Sequence, residues 1–113
     1  MANPPGYHWH GDGVFLDTGD TIEGELVVSA TGVRPDIALA TAADLQLHDG
    51  RIVVDEHMRT SARNVYAAGD VALAYNVTAD RRIPAERWRD AAQQGLVAGL
   101  SAAGYEAGWD EVP

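Results

Sequence analysis

At 113 residues with 46% hydrophobic side chains, the chain has the size of one compact domain or a piece of a larger one, with a modest core. Its 17 acidic and 8 basic residues give a net charge of −9, which repels polyphosphate and anionic lipid and so excludes nucleic acid and membrane surfaces as main partners. With no cysteine there is no disulfide, thiolate metal site or redox CxxC pair; with no apolar run near the roughly 20 residues that span a bilayer and no signal-peptide layout, the expected location is the cytoplasm.

The opening "MANPPGYHWHGDG" mixes proline, glycine and aromatics without a period, and residues 1–13 read as an irregular segment. His8 and His10 are spaced to share a metal, but no third ligand follows at suitable spacing, so no metal site is expected. From Val14 the pattern tightens into an apolar strand "VFL", a turn "DTGD" and a second extended run "TIEGELVVSAT". Leu26, Val27, Val28 and Ala30 are apolar almost without alternation, the pattern of a strand covered on both faces in a parallel or mixed sheet. In "GVRPDIALATAADL", Pro35 precedes a short helical segment that Asp36 is placed to cap, and Arg34 reads as a local ion-pair or junction residue.

The stretch "LQLHDGRIVVD" is a hairpin pattern, with Asp49-Gly50 supplying the positive φ of a tight turn and His48 as an exposed strand-end residue. "NVYAA" reads as another short strand that ends at Gly69-Asp70, which raises the question of why a buried strand should deliver a carboxylate at its tip. "YNVTADRRI" reads as a polar connection to one long helix, with Pro84 in its first turn, Glu86 adding negative charge near its N-terminus and Gly104 ending it. Trp88, Ala92, Gly95, Gly99 and Ala103 recur three or four apart, which predicts a stripe of mostly tiny side chains lying close to a sheet. The fold class is α/β, with a mixed sheet, a β-hairpin and one long C-terminal helix.

Strand ends that meet a helix N-terminus make a ligand crevice in α/β sheets, and glycines such as Gly32 and Gly69 let backbone approach a ligand closely. The segments "ATGVRP" (residues 30–35), "TSARNVYAAGD" (residues 60–70), "ERWRDAAQQG" (residues 86–95) and the terminal "WDEVP" resemble, in order, four segments of the two-dinucleotide-binding-domain flavoprotein reductases, the pyridine nucleotide-disulfide oxidoreductase-like proteins. They resemble the junction back into the FAD-binding domain, the second FAD motif, the helix start of the ferredoxin- and rubredoxin-reductase branch, and the lead into that branch's interface domain. The resemblance covers residues 14–113. It implies a partial Rossmann-like fold, with residues 14–28 the end of an NAD(P)-binding domain and residues 29–113 the C-terminal part of an FAD-binding domain.

The resemblance also implies roles. Asp70 would accept a hydrogen bond from a ribityl hydroxyl of FAD, Gly69 and Val71 would flank it, and Thr31 and Gly32 would lie along the dinucleotide. Glu86, Arg87 and Trp88 would bring the helix start to the flavin, with Trp88 at the flavin or nicotinamide edge. The structural alternatives are a helix cap for Asp70 and a core residue for Trp88. The activity implied is FAD-dependent NAD(P)H oxidation, with hydride passing to flavin and electrons passing on to a ferredoxin-like or other acceptor; the flavin carries the chemistry, so no catalytic side chain is expected here. No Gly-x-Gly-x-x-Gly fingerprint occurs, so the chain reads as a fragment whose own hold on FAD is weak. The rival reading is a non-catalytic acidic α/β interaction module that has lost cofactor binding; exposed sheet edges would favour self-association, and a homodimer is left open.

Overall fold

The structure, a computed structural model, describes residues 7–10, 13–85 and 87–110, with the side chains of 7–10 excepted. The chain divides into two compact units, Met1–Val33 and Arg34–Pro113.

The first unit is a three-stranded antiparallel sheet in the order β1-β2-β3, with β1 at Tyr7–His10, β2 at Gly13–Leu16 and β3 at Thr21–Glu23. Strand β1 corrects the irregular reading at residues 7–10, and β2 begins at Gly13; the rest of residues 1–13 lies outside the described residues. His10 pairs with Gly13 across the β1–β2 ladder. Gly13 is required on steric grounds, since a Cβ there would lie 2.6 Å from the backbone oxygen of Ile22 on β3. The extended run after β3 is not a buried strand: residues 24–37 form no regular element, and Leu26 and Val28 are 82% and 77% exposed. An apolar run becomes a strand only when another backbone pairs with it, and no described strand does.

The second unit is built on a four-stranded mixed sheet in the order β4-β5-β6-β7, comprising Leu47–His48, Arg51–Val54, Ala72–Asn76 and Arg81–Pro84. Asp49 and Gly50, at φ of 50° and 71°, close the β4–β5 hairpin, as their two-residue signal predicts. Strand β5 pairs parallel with β6, and β6 pairs antiparallel with β7. This hairpin corrects the reading of residues 75–83 as a polar connection. Pro84 closes β7 rather than sitting in a helical turn, and the helix starts later. The "NVYAA" strand is corrected too: only an isolated bridge between Arg59 and Tyr66 forms there, and regular pairing begins after Asp70, at Ala72.

Helix α1 spans Ala38–Ala42, and the Asp36 carboxylate accepts the Ala38 N–H at 3.1 Å, so the expected local capping is made one residue before the N-cap position, Ile37. Helix α2 spans Trp88–Ala102, with Gly104 at φ +92° just past its end. Its tiny-residue stripe faces outward, which corrects the expected close approach: Trp88, Ala92, Gly95, Gly99 and Ala103 are exposed, and a Cβ added at Gly95 or Gly99 would meet nothing within 4 Å. The buried face is Asp90, Gln94, Val97 and Ser101. The small residues of the core lie instead on β6, α1 and just past β7, where Ala72, Ala74, Ala40 and Ala85 join Ile52, Val54, Met58, Val97 and Trp109 in one buried cluster. Trp109, 1% exposed, is strapped in place as its N–H donates to Glu56 O at 2.9 Å and its carbonyl accepts the Val77 N–H at 3.0 Å.

Candidate functional site

Gly69, Asp70 and Val71 form a tight turn immediately before β6. Gly69 adopts φ +85°, a conformation that favours glycine, and is itself buried. The turn is fastened on several sides. Its Gly69 carbonyl accepts the Ala72 N–H at 2.9 Å, its Asp70 carbonyl accepts Arg51 Nε at 3.2 Å, and its Val71 carbonyl accepts the Ile52 N–H at 2.7 Å. On the helix side, Gln94 Oε1 accepts the Gly69 N–H at 2.9 Å, and a Cβ at Gly69 would sit 3.6 Å from Ala91 Cβ. What remains is the half-buried Asp70 side chain, whose carboxylate makes no ion pair or hydrogen bond among the described residues. It caps no helix, because a strand follows it. The nearby guanidinium of Arg51 holds the backbone oxygen.

Arg87 and Trp88 open α2. Arg87 occupies the N-cap position in an extended conformation, with no side-chain cap on the first N–H groups. Its guanidinium is engaged: Nε donates to Asp90 Oδ2 at 2.9 Å and Nη2 to Asp90 Oδ1 at 3.3 Å. The hydrogen bond to Asp90, and then its charge, hold the Arg87 proton still more tightly than usual. Asp90 is nearly inaccessible, with 4% of its side chain exposed, so the pair is a buried carboxylate closed by a largely exposed arginine. Trp88 is 86% exposed, which sets aside a core role within this chain. Glu86 lies outside the described residues. Thr31 and Gly32 belong to the first unit, where both are exposed and Gly32 adopts φ +100°.

Beside the turn, an apolar cleft of about 490 Å³ is lined by Leu39, Ala40, Leu45, Ile52, Tyr66 and Val71, among others. Val71 therefore lines this cleft and gives its carbonyl to β5. Among the described residues no group of three His, Cys, Asp or Glu side chains is placed to hold a metal. Sequence reasoning missed Gln94, Asp90 and Arg51. A signal for the first two existed: 90, 94, 97 and 101 share one helical face, and Arg87 and Asp90 stand at ion-pair spacing.

Comparison with known proteins gives this geometry a context. Residues 5–95 match the model of the pyridine nucleotide-disulphide oxidoreductase family. The chain is 34% identical over 104 residues to the rubredoxin-NAD(+) reductase of Pseudomonas putida, covering 92% of this chain and 27% of that protein. Among solved structures it is similar to a ferredoxin reductase from Rhodopseudomonas palustris, at TM-score 0.81 and 30% identity over 95% of this chain and 27% of that one. It is also similar to putidaredoxin reductase in its covalent complex with putidaredoxin, at TM-score 0.75 and 32% identity over 88% of this chain and 24% of that one. The chain thus spans about a quarter of the length of the relatives it matches.

Proposed function

The chain belongs to the pyridine nucleotide-disulphide oxidoreductase family, and from that membership we propose that it is part of an FAD-dependent NAD(P)H oxidoreductase that passes electrons to a ferredoxin-like acceptor. The names of its relatives, a rubredoxin-NAD(+) reductase and a putidaredoxin reductase held to its putidaredoxin, support that class of acceptor. We further propose that residues 14–28 end a nicotinamide-binding domain and residues 29–113 complete an FAD-binding domain. No described helix is long and apolar enough to cross a membrane, and a cytoplasmic enzyme is the reading we favour.

The observation that carries the proposal is the Asp70 carboxylate, anionic, unengaged among the described residues, and presented by a turn whose backbone is fastened. That is what a polyhydroxylated ligand requires: an acceptor of fixed position with no competing donor. Asp70 would hold a ribityl hydroxyl, Gly69 and Val71 would shape the approach, and Thr31 and Gly32 would follow the dinucleotide. At the start of α2, Glu86, Arg87 and the exposed Trp88 would border the flavin, with Asp90 keeping Arg87 in place. The chemistry these residues would position, hydride acceptance from NAD(P)H and one-electron release, would be supplied by the bound flavin. The residues of this chain bind and orient; none is asked to act as a nucleophile or general base.

A second reading, a non-catalytic interaction module, draws on the exposure of Leu26 and Val28. Titration with FAD, followed by flavin fluorescence alongside a sizing measurement, separates the two. A charge-assisted hydrogen bond contributes about 1.5–3 kcal/mol, so Asp70→Ala should weaken FAD binding roughly 10- to 100-fold. Its fold stability should stay within about 0.5 kcal/mol. A chain that self-associates and leaves flavin fluorescence unchanged at millimolar FAD is the module, not the reductase piece.

A further inference from the structure

We infer that Gln94 is a positioning residue for the Asp70 carboxylate, an inference that rests on the FAD reading above. Gln94 is 0% exposed in the middle of α2, on a face where an apolar side chain would ordinarily stand. Its Oε1 takes the Gly69 N–H across 25 residues of sequence, at 2.9 Å. This hydrogen bond tethers α2 to the turn, and it acts on the residue immediately before Asp70, at the point where the backbone turns through φ +85°. Arg51 secures the other side of the same residue through the Asp70 carbonyl. Gln94 thus holds the Ala68–Gly69 peptide, the Ala72 N–H holds the Gly69 carbonyl, and Arg51 holds the Asp70–Val71 peptide, so the turn around Asp70 is fixed on both sides while its carboxylate is left to a ligand.

The identity of the side chain at 94 follows from its two ends. An amide N–H of a buried glycine needs an acceptor, and the helix backbone cannot provide one, because its carbonyls beyond the last turn serve the helix itself. A side chain that reaches from the helix must therefore end in an oxygen. The other end, Nε2, is buried and has no partner among the described residues. The amide group is thus retained for its oxygen, and its nitrogen is a tolerated burden. A helix face optimised for packing alone would carry leucine or methionine at 94.

Nuclear magnetic resonance on the ¹⁵N-labelled 113-residue chain tests this with two readouts, the exchange rate of the Gly69 amide and the shifts of the Gly69 and Asp70 amides on titration with FAD. Gln94→Met removes the acceptor at equal length, and Gln94→Glu keeps an oxygen. In the wild-type chain Gly69 should be protected; an unprotected Gly69 amide overturns the inference without any variant. Gln94→Met should speed Gly69 exchange and weaken FAD binding, each by roughly three- to tenfold, with Gln94→Glu closer to wild type on both. A Gln94→Met chain that exchanges faster but binds FAD as wild type does makes Gln94 structural only and overturns the inference. Wild-type shifts that FAD does not move at all overturn the FAD reading, and this inference with it; shifts that survive Gln94→Met unchanged overturn this inference alone.

Discussion

Gly69→Ala isolates the conformational demand of the turn from its packing. At φ +85° an alanine suffers the left-handed penalty of about 1–2 kcal/mol, while the loss of glycine's freedom in the unfolded chain returns about 0.4–1 kcal/mol. The new Cβ would lie 3.6 Å from Ala91 Cβ, ordinary contact, so sterics add little, and the N–H that Gln94 accepts is untouched. The net expectation is a loss of about 1 kcal/mol, or a fall of about 4 °C in Tm for a domain of this size. Gly50→Ala is the control: φ is +71°, nothing stands within 4 Å, and the same strain acts without a helix beside it. Urea unfolding of the three chains by circular dichroism should place both variants within about 0.5 kcal/mol of each other. A Gly69→Ala loss above about 3 kcal/mol with Gly50→Ala near 1 would refute the reasoning, because α2 would then press on the turn far more closely than these distances state.

Two other substitutions probe the fold around the site. Trp109→Ala empties a site 1% exposed and should cost about 3–5 kcal/mol, a large share of the roughly 5–15 kcal/mol of a whole domain, seen as a drop of about 2 M in urea midpoint; a change below about 0.5 M would mean the C-terminal strap is not part of the cooperative core. The Tyr75 hydroxyl donates to the Asp80 carboxylate, and that bond, with desolvation and the charges of Asp80 and Glu56, raises its pKa against the opposing pull of Arg82. A folded-state pKa above the unfolded value gives stability that is complete below about pH 10 and lost as pH rises through the folded value. Thermal melts from neutral to alkaline pH should therefore show a steeper alkaline decline in wild type than in Tyr75→Phe, and parallel curves would remove the bond from consideration.

How much of this fold could be read from residues depends on how local each element's cause is. The Asp49-Gly50 hairpin was legible because two adjacent residues supply its whole requirement, positive φ, and the Gly104 stop was legible for the same reason. The strands were not, because a strand is a pairing. "NVYAA" and "LVVSA" have strand-forming side chains and no regular partner among the described residues, whereas "ALAYN" and "RRIP", polar in part, pair with each other. The question of why a strand should end in a carboxylate therefore dissolves: Asp70 precedes its strand instead of ending one. The orientation of α2 failed differently. A run of Ala and Gly is silent about which way it faces, and the polar residues at 90 and 94 point inward because specific partners, Arg87 for Asp90 and the Gly69 N–H for Gln94, make their burial tolerable.

The site shows the same division, and it separates two quantities that usually vary together. Asp70 stands out in a short motif, and under the proposed FAD reading its carboxylate owes nothing to the fold: it makes no bond among the described residues, so nothing else in the chain has to match it. Gln94 was not legible, because its role is defined by a backbone N–H 25 residues away that no pattern on α2 reveals. The consequence is energetic. Replacing Asp70 should weaken FAD binding and leave stability nearly intact, since no partner among the described residues is orphaned. Replacing Gln94 by a side chain without an acceptor should reduce both, because it strands a buried donor and at the same time loosens the start of the turn that presents the carboxylate. A turn in which one residue carries affinity and a buried neighbour carries its geometry lets either be altered while the other is measured, and the sign of each change follows from which of the two holds a hydrogen bond within the chain itself.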